Sequence, residues 1–448
     1  MPGNAAVVAF EEWLARGDTA ARDAVGQYRD FYAGNHDVRL TERQEVRLGI
    51  TTAQIRSLAN VCQLVVDVVA ERLSVAGFEA ADEATAATLA GWWADCDLDA
   101  YQDDVHLSGL RDGDGYMIVE WDNEARRPVF WHELADDGYN GAGVVYASAR
   151  RVPLYGYKRW RIEEGAESGA QRLNLYFPDR LERYVTGRLG IWTPYESATE
   201  RAVEAWVDRQ GRPLGVPVVH FPTNPNGNDY GTSELEAVLP LQRVLTSLWI
   251  DLMAAADATG FQIVTLTGDT PAKDMVAAPG AIWYSPSPAA TWGAIPPGDT
   301  SRIVEAIRHT VTTIAQVSRI PITMFQENSA PAAAETVQAS EHGLIAKVND
   351  RAKSYGLAWR ALMRQAIRLH NTFGEGAGQL DEAGIRPRWS PFERPDPLAV
   401  EERRAAVATA HVAAGLSLEA AYGRAGYAPE ELEALLRTDT AGDEGLAQ

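Results

Sequence analysis

The chain has 448 residues, is 46% hydrophobic and carries a formal net charge of −21. That length allows about two to four domains, and the apolar content excludes wholesale disorder. The charge argues against tight binding to nucleic acid or to an anionic membrane, since both need a basic surface. It leaves room for a partner that slides past without sticking.

Only Lys158, Lys273, Lys347 and Lys353 are lysines, so arginine supplies nearly all the positive charge. Two cysteines, Cys62 and Cys96, do not make a disulfide framework, and a reducing compartment is expected. The opening "MPGNAAVVAFEEWLARGD" lacks the basic and long apolar regions of a secretory signal. No apolar run approaches the ~20 residues that span a bilayer. A soluble, intracellular protein is expected.

In chain order, residues 5–33 read as helical. In 52–73, Ile55, Cys62, Val65, Val69 and Leu73 form one stripe of a half-buried helix. "SVAGFEA" is expected to turn at Gly77, and 84–111 to be helical. From 112 to 222 the texture changes to short aromatic and β-branched runs between Gly, Pro and Asp, such as "YMIVEW" and "YGYKRWRI". These predict a small antiparallel sheet system.

Helices return at 233, where Ser233 and Glu236 fit a capping box. Leu241, Val244, Leu245, Leu248, Trp249 and Leu252 recur at helical spacing, and Pro240 implies a kink or a fresh start. Residues 261–300 break into short strands and turns ("FQIVTLTG", "GAIWYS", "TWGAIPPGD"). A second helix follows, with Ile303, Ile307, Val311 and Ile314 on its stripe. The longest helical pattern covers about 335–372, with Gly343 and Gly356 as places for a bend. Residues 385–394 look extended, and 397–437 look like a small helical cap punctuated by Gly415 and Gly426.

Chemistry-bearing constellations are scarce. "DGDGYMIVEWD" from Asp112 fails as a calcium loop, because Tyr116 and Met117 stand where a ligand and a glycine are needed. A Gly/Asp turn before a strand is preferred. None of the eight histidines forms HExxH or a close ligand pair, so zinc is not expected. "NPNGNDYG" at 224–231 has neither the P-loop Lys-Ser/Thr nor GxGxxG, and reads as a turn. Carboxylates among many aromatics raise a glycosidase reading, but nothing selects a catalytic pair. Arg360, Arg364 and Arg368 lie at i, i+4 and i+8, a basic ridge on one helix face. A solvated face or salt bridges to a neighbour, a neighbouring subunit included, is preferred to a row contacting phosphates.

Between the two strongest helical patterns lies "QENSAPAAAE", small, polar and without a basic residue. A protein that neutralises six to ten phosphates binds duplex DNA tightly. Gln326, Asn328, Ser329, Ala330 and Ala332 could touch a polyanion without a charge grip. Glu327 and Glu335 would repel it, and Pro331 would stiffen the loop. An ordinary helix connector is the bland reading of the same residues.

Several segments, in order, resemble the portal proteins of tailed bacteriophages, in particular the SPP1-type family. They are "YRDFYAGNHDVRL" (28–40), "NVCQLVVDVVAERLSVAGFEA" (60–80), "WWADCDLDAYQDDVHLSGLRDGDGYMIVEWD", "VPVVHFPTNPNGNDYGTSELEAVLPLQRVLTSL", "QVSRIPITMF" and "RPDPLAVEERRAAVATAHVAAGLSLEAAY". The resemblance implies an α+β portal-type fold. Its parts would be an α/β wing (1–232, with the 385–394 strand), a stem helix (233–260), a small clip (261–300) and a second stem helix (301–320). A tunnel loop (321–336), a long spine helix (337–372) and a C-terminal wing strand and helical crown (373–448) would follow.

It implies a homo-oligomeric ring, usually of twelve subunits, at one capsid vertex of the virion, assembled in the host cytoplasm. Double-stranded DNA would pass through its axis. Gln326, Glu327, Asn328, Ser329, Ala330, Pro331 and Ala332 would face that DNA. The terminase large subunit and a head-completion or adaptor protein would dock on the clip, and major capsid and scaffolding proteins would surround the ring. No catalytic residue, cofactor, metal or membrane contact is expected. An acidic multidomain hydrolase, carbohydrate-active, or another virion connector component is the alternative.

Overall fold

The computed structural model describes residues 3–16, 19–36, 40, 42, 45, 59–147, 152–165, 168–187, 190–225, 229–260, 263–267, 288–289, 291–295, 300–325, 334–374, 378–392, 397–415 and 417–426. They divide into two compact units, Met1–Ser390 and Pro391–Gln448. The chain is a mixed α+β protein.

The larger unit opens with α1 (Gly3–Arg16) and α2 (Thr19–Tyr32). Next come α3 (Cys62–Ala70), β1 (Val75–Glu79), α4 (Glu83–Asp95) and α5 (Leu98–Asp112). The expected stripe holds: Cys62, Val65, Val69 and Leu73 are fully buried, while Ile55 lies outside the described residues. Helix α4 is capped by the Asp82 carboxylate, which accepts the Thr85 N–H at 2.7 Å. Helix α5 stops at Gly113, whose φ of +97° suits glycine, and a strand begins at Asp114. The Gly/Asp turn is therefore a helix stop, as expected.

Gly77 is different from expectation. It lies inside β1, which pairs antiparallel with β13 (Arg386–Trp389) across a bulge between Val75 and Gly77. Its φ of +146° is one that a side chain rarely adopts, so the glycine makes the bulge and not a turn. The partner strand lies at the far end of the unit, where no local pattern could reveal it.

The expected antiparallel system is two sheets. Strands β2 (Asp114–Asp122), β3 (Arg127–Leu134) and β10 (Val218–Pro222) form one, in the order β10-β2-β3. The other runs β4 (Gly141–Ala147), β5 (Val152–Arg161), β6 (Gln171–Tyr176), β7 (Arg180–Thr186) and β8 (Trp192–Pro194), with β9 (Val203–Ala205) also on β7. Val7 and Phe10 of α1 pack on this sheet against Tyr155, Tyr157 and Leu173. Val25 of α2 joins a core that bridges the sheets through Tyr116, Ile118, Val144 and Val218.

Helix α6 (Leu239–Gly260) does not start at the expected capping box. Residues 234–238 are turns; the Ser233 hydroxyl accepts the Leu235 N–H at 3.0 Å. Pro240 falls in the first turn, where its missing N–H costs nothing, so it marks a fresh start. The expected apolar stripe is also rotated. The buried face carries Gln242, Leu245, Thr246 and Ile250, while Val244 is half exposed. Gln242 wins that place because it accepts the Val61 N–H (3.1 Å) and donates to Ala59 O (3.2 Å), satisfying the start of α3.

Strands β11 (Ile263–Thr267) and β12 (Thr291–Ile295) form a separate antiparallel pair between α6 and α7 (Ser301–Ser318), two helices in contact with each other. The expected "GAIWYS" strand lies outside the described residues. Ile307 and Ile314 of α7 are buried as expected. Helix α8 (Ala334–Phe373) has 40 residues, about 60 Å at 1.5 Å each. It is continuous through Gly343 and Gly356. At Gly356 a Cβ would sit 3.4 Å from Pro387, so this glycine lets β13 lie close.

The smaller unit contains α9 (Pro397–Ala413) and α10 (Leu418–Arg424), which pack together. Gly415 and Gly426 adopt φ near +90° after the two helices, the punctuation expected of them.

Helix α8 is fixed in the larger unit by an aromatic core. Trp359 and Tyr355 are fully buried. His106 stacks on Tyr355 at 5.0 Å and accepts the Trp359 indole N–H through Nε2 at 2.9 Å. Its Nδ1–H donates to Leu73 O at 3.0 Å. This wiring needs a neutral ring, and burial lowers the His106 pKa from 6.5 to about 3. The unfolded chain thus binds more protons between those values, and stability present above pH 6.5 is lost as pH falls. We expect unfolding free energy to drop by up to about 1.4 kcal/mol per pH unit below 6.5. Urea titrations of the wild type and of His106→Gln, which removes this term from the slope, check it.

Candidate functional site

The expected DNA-facing residues Gln326, Glu327, Asn328, Ser329, Ala330, Pro331 and Ala332 lie outside the described residues. Helix α7 ends with Arg319 in the left-handed region at φ +56°; its N–H bonds to Gln316 O, and Ile320 N–H returns to Ala315 O at 3.0 Å. Ile320 and Pro321 are buried, and one 3₁₀ turn (Ile322–Phe325) leads out. On the other side α8 begins at Ala334.

Both flanks are tied to one ion cluster. Lys347 on α8 donates to Ser318 O, a last carbonyl of α7, at 2.8 Å. The same ammonium lies 2.6 Å from the Glu234 carboxylate, which also receives Arg351 Nε at 2.6 Å. Glu234 and Lys347 side chains are each about 95% buried. Burial raises the Glu234 pKa, but the two cations outweigh it and hold the carboxyl below its ordinary value. Burial pulls the Lys347 pKa down, and Glu234 offsets only part of this. The cluster joins the 234–238 turn, the end of α7 and the body of α8.

The arginine ridge faces a groove of about 570 Å³ beside the sheets, lined also by Tyr146, Val152, Pro153 and Leu357. Its three arginines differ. Arg368 makes an ion pair with the Glu382 carboxylate at 3.0 Å, and Arg364 donates to the Glu382 carbonyl at 3.2 Å. Arg360 has no hydrogen-bond or ion-pair partner among the described residues.

Polar contacts join several of the resembling segments within the larger unit. Arg29 and Arg111 clamp the fully buried Asp112 carboxylate at 2.9 and 2.7 Å. Tyr32 donates to Asp67 at 2.8 Å. Asp114 accepts from His220 Nε2 and from Gly231 N, each at 2.6 Å, while Tyr146 donates to His220 Nδ1 at 2.8 Å. That holds Gly231 against the start of β2. Sequence reasoning missed all of these and the Glu234 cluster. The one available signal was Lys347, a rare lysine between Leu344 and Val348 on an apolar stripe.

Among the described residues no group of three or more His, Cys, Asp or Glu could hold a metal ion. Among them, no helix is long and apolar enough to cross a membrane. Cys62 and Cys96 are both free thiols.

The chain belongs to the family described as "Phage portal protein, SPP1 Gp6-like", whose model matches residues 11–401. It is a phage portal protein, a virion component of the head–tail connector. A solved chain from the "Neck of empty GTA particle computed with C6 symmetry" is similar at 15% identity and a TM-score of 0.45, over 82% of this chain and 90% of that one. No curated protein matches the sequence.

Glu234→Gln should strand Lys347 and Arg351 without their counter-charge and cost about 3–5 kcal/mol of stability, read by chemical denaturation. Adding Lys347→Met should recover part of it, because the buried cation is then gone.

Proposed function

We propose that the protein forms a ring of about twelve copies at one capsid vertex and conducts double-stranded DNA during packaging and ejection, without catalysis of its own. The match over residues 11–401 carries this proposal. The division into parts draws support from element order. Helices α6 and α7 would be the stem, with β11–β12 between them as the clip. The larger unit's sheets would be the wing, α8 the spine, and α9–α10 part of the crown. The terminase large subunit and a head-completion protein would dock on the clip, with major capsid and scaffolding proteins around the ring.

Residues 326–332 would face the DNA. Duplex DNA carries one charge per ~1.7 Å of axis, and each phosphate neutralised steepens the salt dependence of binding. A loop without a basic residue touches the polyanion but does not clamp it. Copies at −21 each repel one another, so subunit contacts have to pair opposite charges. The Arg360, Arg364 and Arg368 ridge is the proposed positive side of such contacts.

Purified protein should form rings of about twelve 48.8 kDa chains with an axial hole, seen by negative-stain imaging and native mass; a stable monomer with hydrolytic turnover would contradict the proposal. Gln326→Lys with Asn328→Lys in every subunit should lower the DNA packaged per particle, with the loss easing as salt rises.

A further inference from the structure

Helix α8 presents two unlike faces. Tyr355 and Trp359 point to α5, where Trp359 meets His106 and where a Cβ at Gly109 would fall on the Tyr355 hydroxyl. Leu357, Arg360, Ala361, Arg364 and Arg368 recur at three- and four-residue spacing on the opposite side, along the groove. That groove is built like one half of an interface. Leu357 is 58% and Val152 53% exposed, so apolar surface lies bare beside the arginines. Arg360 has no partner among the described residues, although the chain has 62 acidic side chains to offer.

The matching half lies across the helix. Helix α5 turns His106 and Gly109 toward α8, and its outer edge carries the exposed Asp99, Asp103 and Asp104. Burial first, and the adjacent Asp99 and Asp104 carboxylates second, push the Asp103 carboxyl up. One chain thus holds a basic apolar groove and an acidic helix edge on opposite sides of the same element. A cyclic ring joins two different surfaces of neighbouring subunits, and it closes only if each copy carries both.

We infer that the Arg360–Arg364 groove of one copy receives the Asp103–Asp104 edge of α5 from the next copy. This contact rests on the ring reading and names its charged seam. It places opposite charges where the strongly acidic chains come closest, and it covers Leu357 and Val152. The contact orders neighbours head to tail, with α8 carrying the groove on one side and bracing α5 on the other.

A charge swap tests it. One variant carries Arg360→Glu and Arg364→Glu; the other carries Asp103→Arg and Asp104→Arg. Under conditions where wild type forms rings, each variant alone should stay monomeric or need at least tenfold more protein to assemble. A 1:1 mixture should regain rings with an even number of subunits and equal amounts of the two variants, read by native mass spectrometry. Wild-type rings with no rescue in the mixture, or either variant assembling like wild type, would overturn the contact and leave the ring standing. Wild type that never forms rings would overturn the ring reading itself.

Far-ultraviolet circular dichroism checks that each variant folds. Should one unfold, Arg360→Ala and Asp103→Ala are combined in a double-mutant cycle on ring stability. A non-additive loss supports the contact, and an additive loss overturns it.

Discussion

The Glu234 carboxylate, shared by Lys347 and Arg351 out of reach of water, is the junction on which the larger unit depends. Removing charges from water is expensive, and the arrangement persists only while every partner is present. In return the geometry is fixed: the turn after β10, the last carbonyl of α7 and the middle of α8 meet at one point. The entry to residues 326–333 and the helix that leaves them are thereby held in register. The His106, Tyr355 and Trp359 core does the same farther along α8, binding it to α5 and to β1 and β13. The long helix is therefore a fixed beam with one face committed to the core and the other lining the groove.

Much of this is legible in the sequence. The helical stripe through Cys62 and Val65, the strands between 112 and 222 and the long helix all follow from periodicity, which depends on near neighbours. Some of the segments that resemble portal proteins make cross-element bonds in the larger unit: Tyr32 to Asp67, Arg29 to Asp112 and Gly231 to Asp114. What stays hidden depends on distant partners. Gly77 reads as a turn because β13 is invisible from its surroundings. Apolar spacing along α6 favours Val244, whereas the part-buried backbone groups at the start of α3 need the amide of Gln242. The Glu234–Arg351 pair is 117 residues apart, and no local pattern announces it. The Arg360 ridge is legible as a row, but the engagement of two of its members by Glu382 is not.

On the proposed function, the ring has to enclose a polyanion and also assemble from many copies of itself, and these demands conflict. An acidic surface keeps DNA from sticking but drives subunits apart. The conflict eases if positive charge is concentrated where copies meet and is left out of the segment that meets DNA. The two segments proposed for these places fit that distribution: an arginine ridge on α8, and no basic residue from Gln326 to Glu335.

The most direct test is a cryo-electron microscopy map of the assembled particle or purified ring, traced from Phe325 to Ala334. The account predicts that this segment from every subunit projects into the central bore, with side chains within reach of a B-form duplex lying on the ring axis. Finding it on the outer rim, or finding the bore beside it lined with arginines from other parts of the chain, would contradict the account.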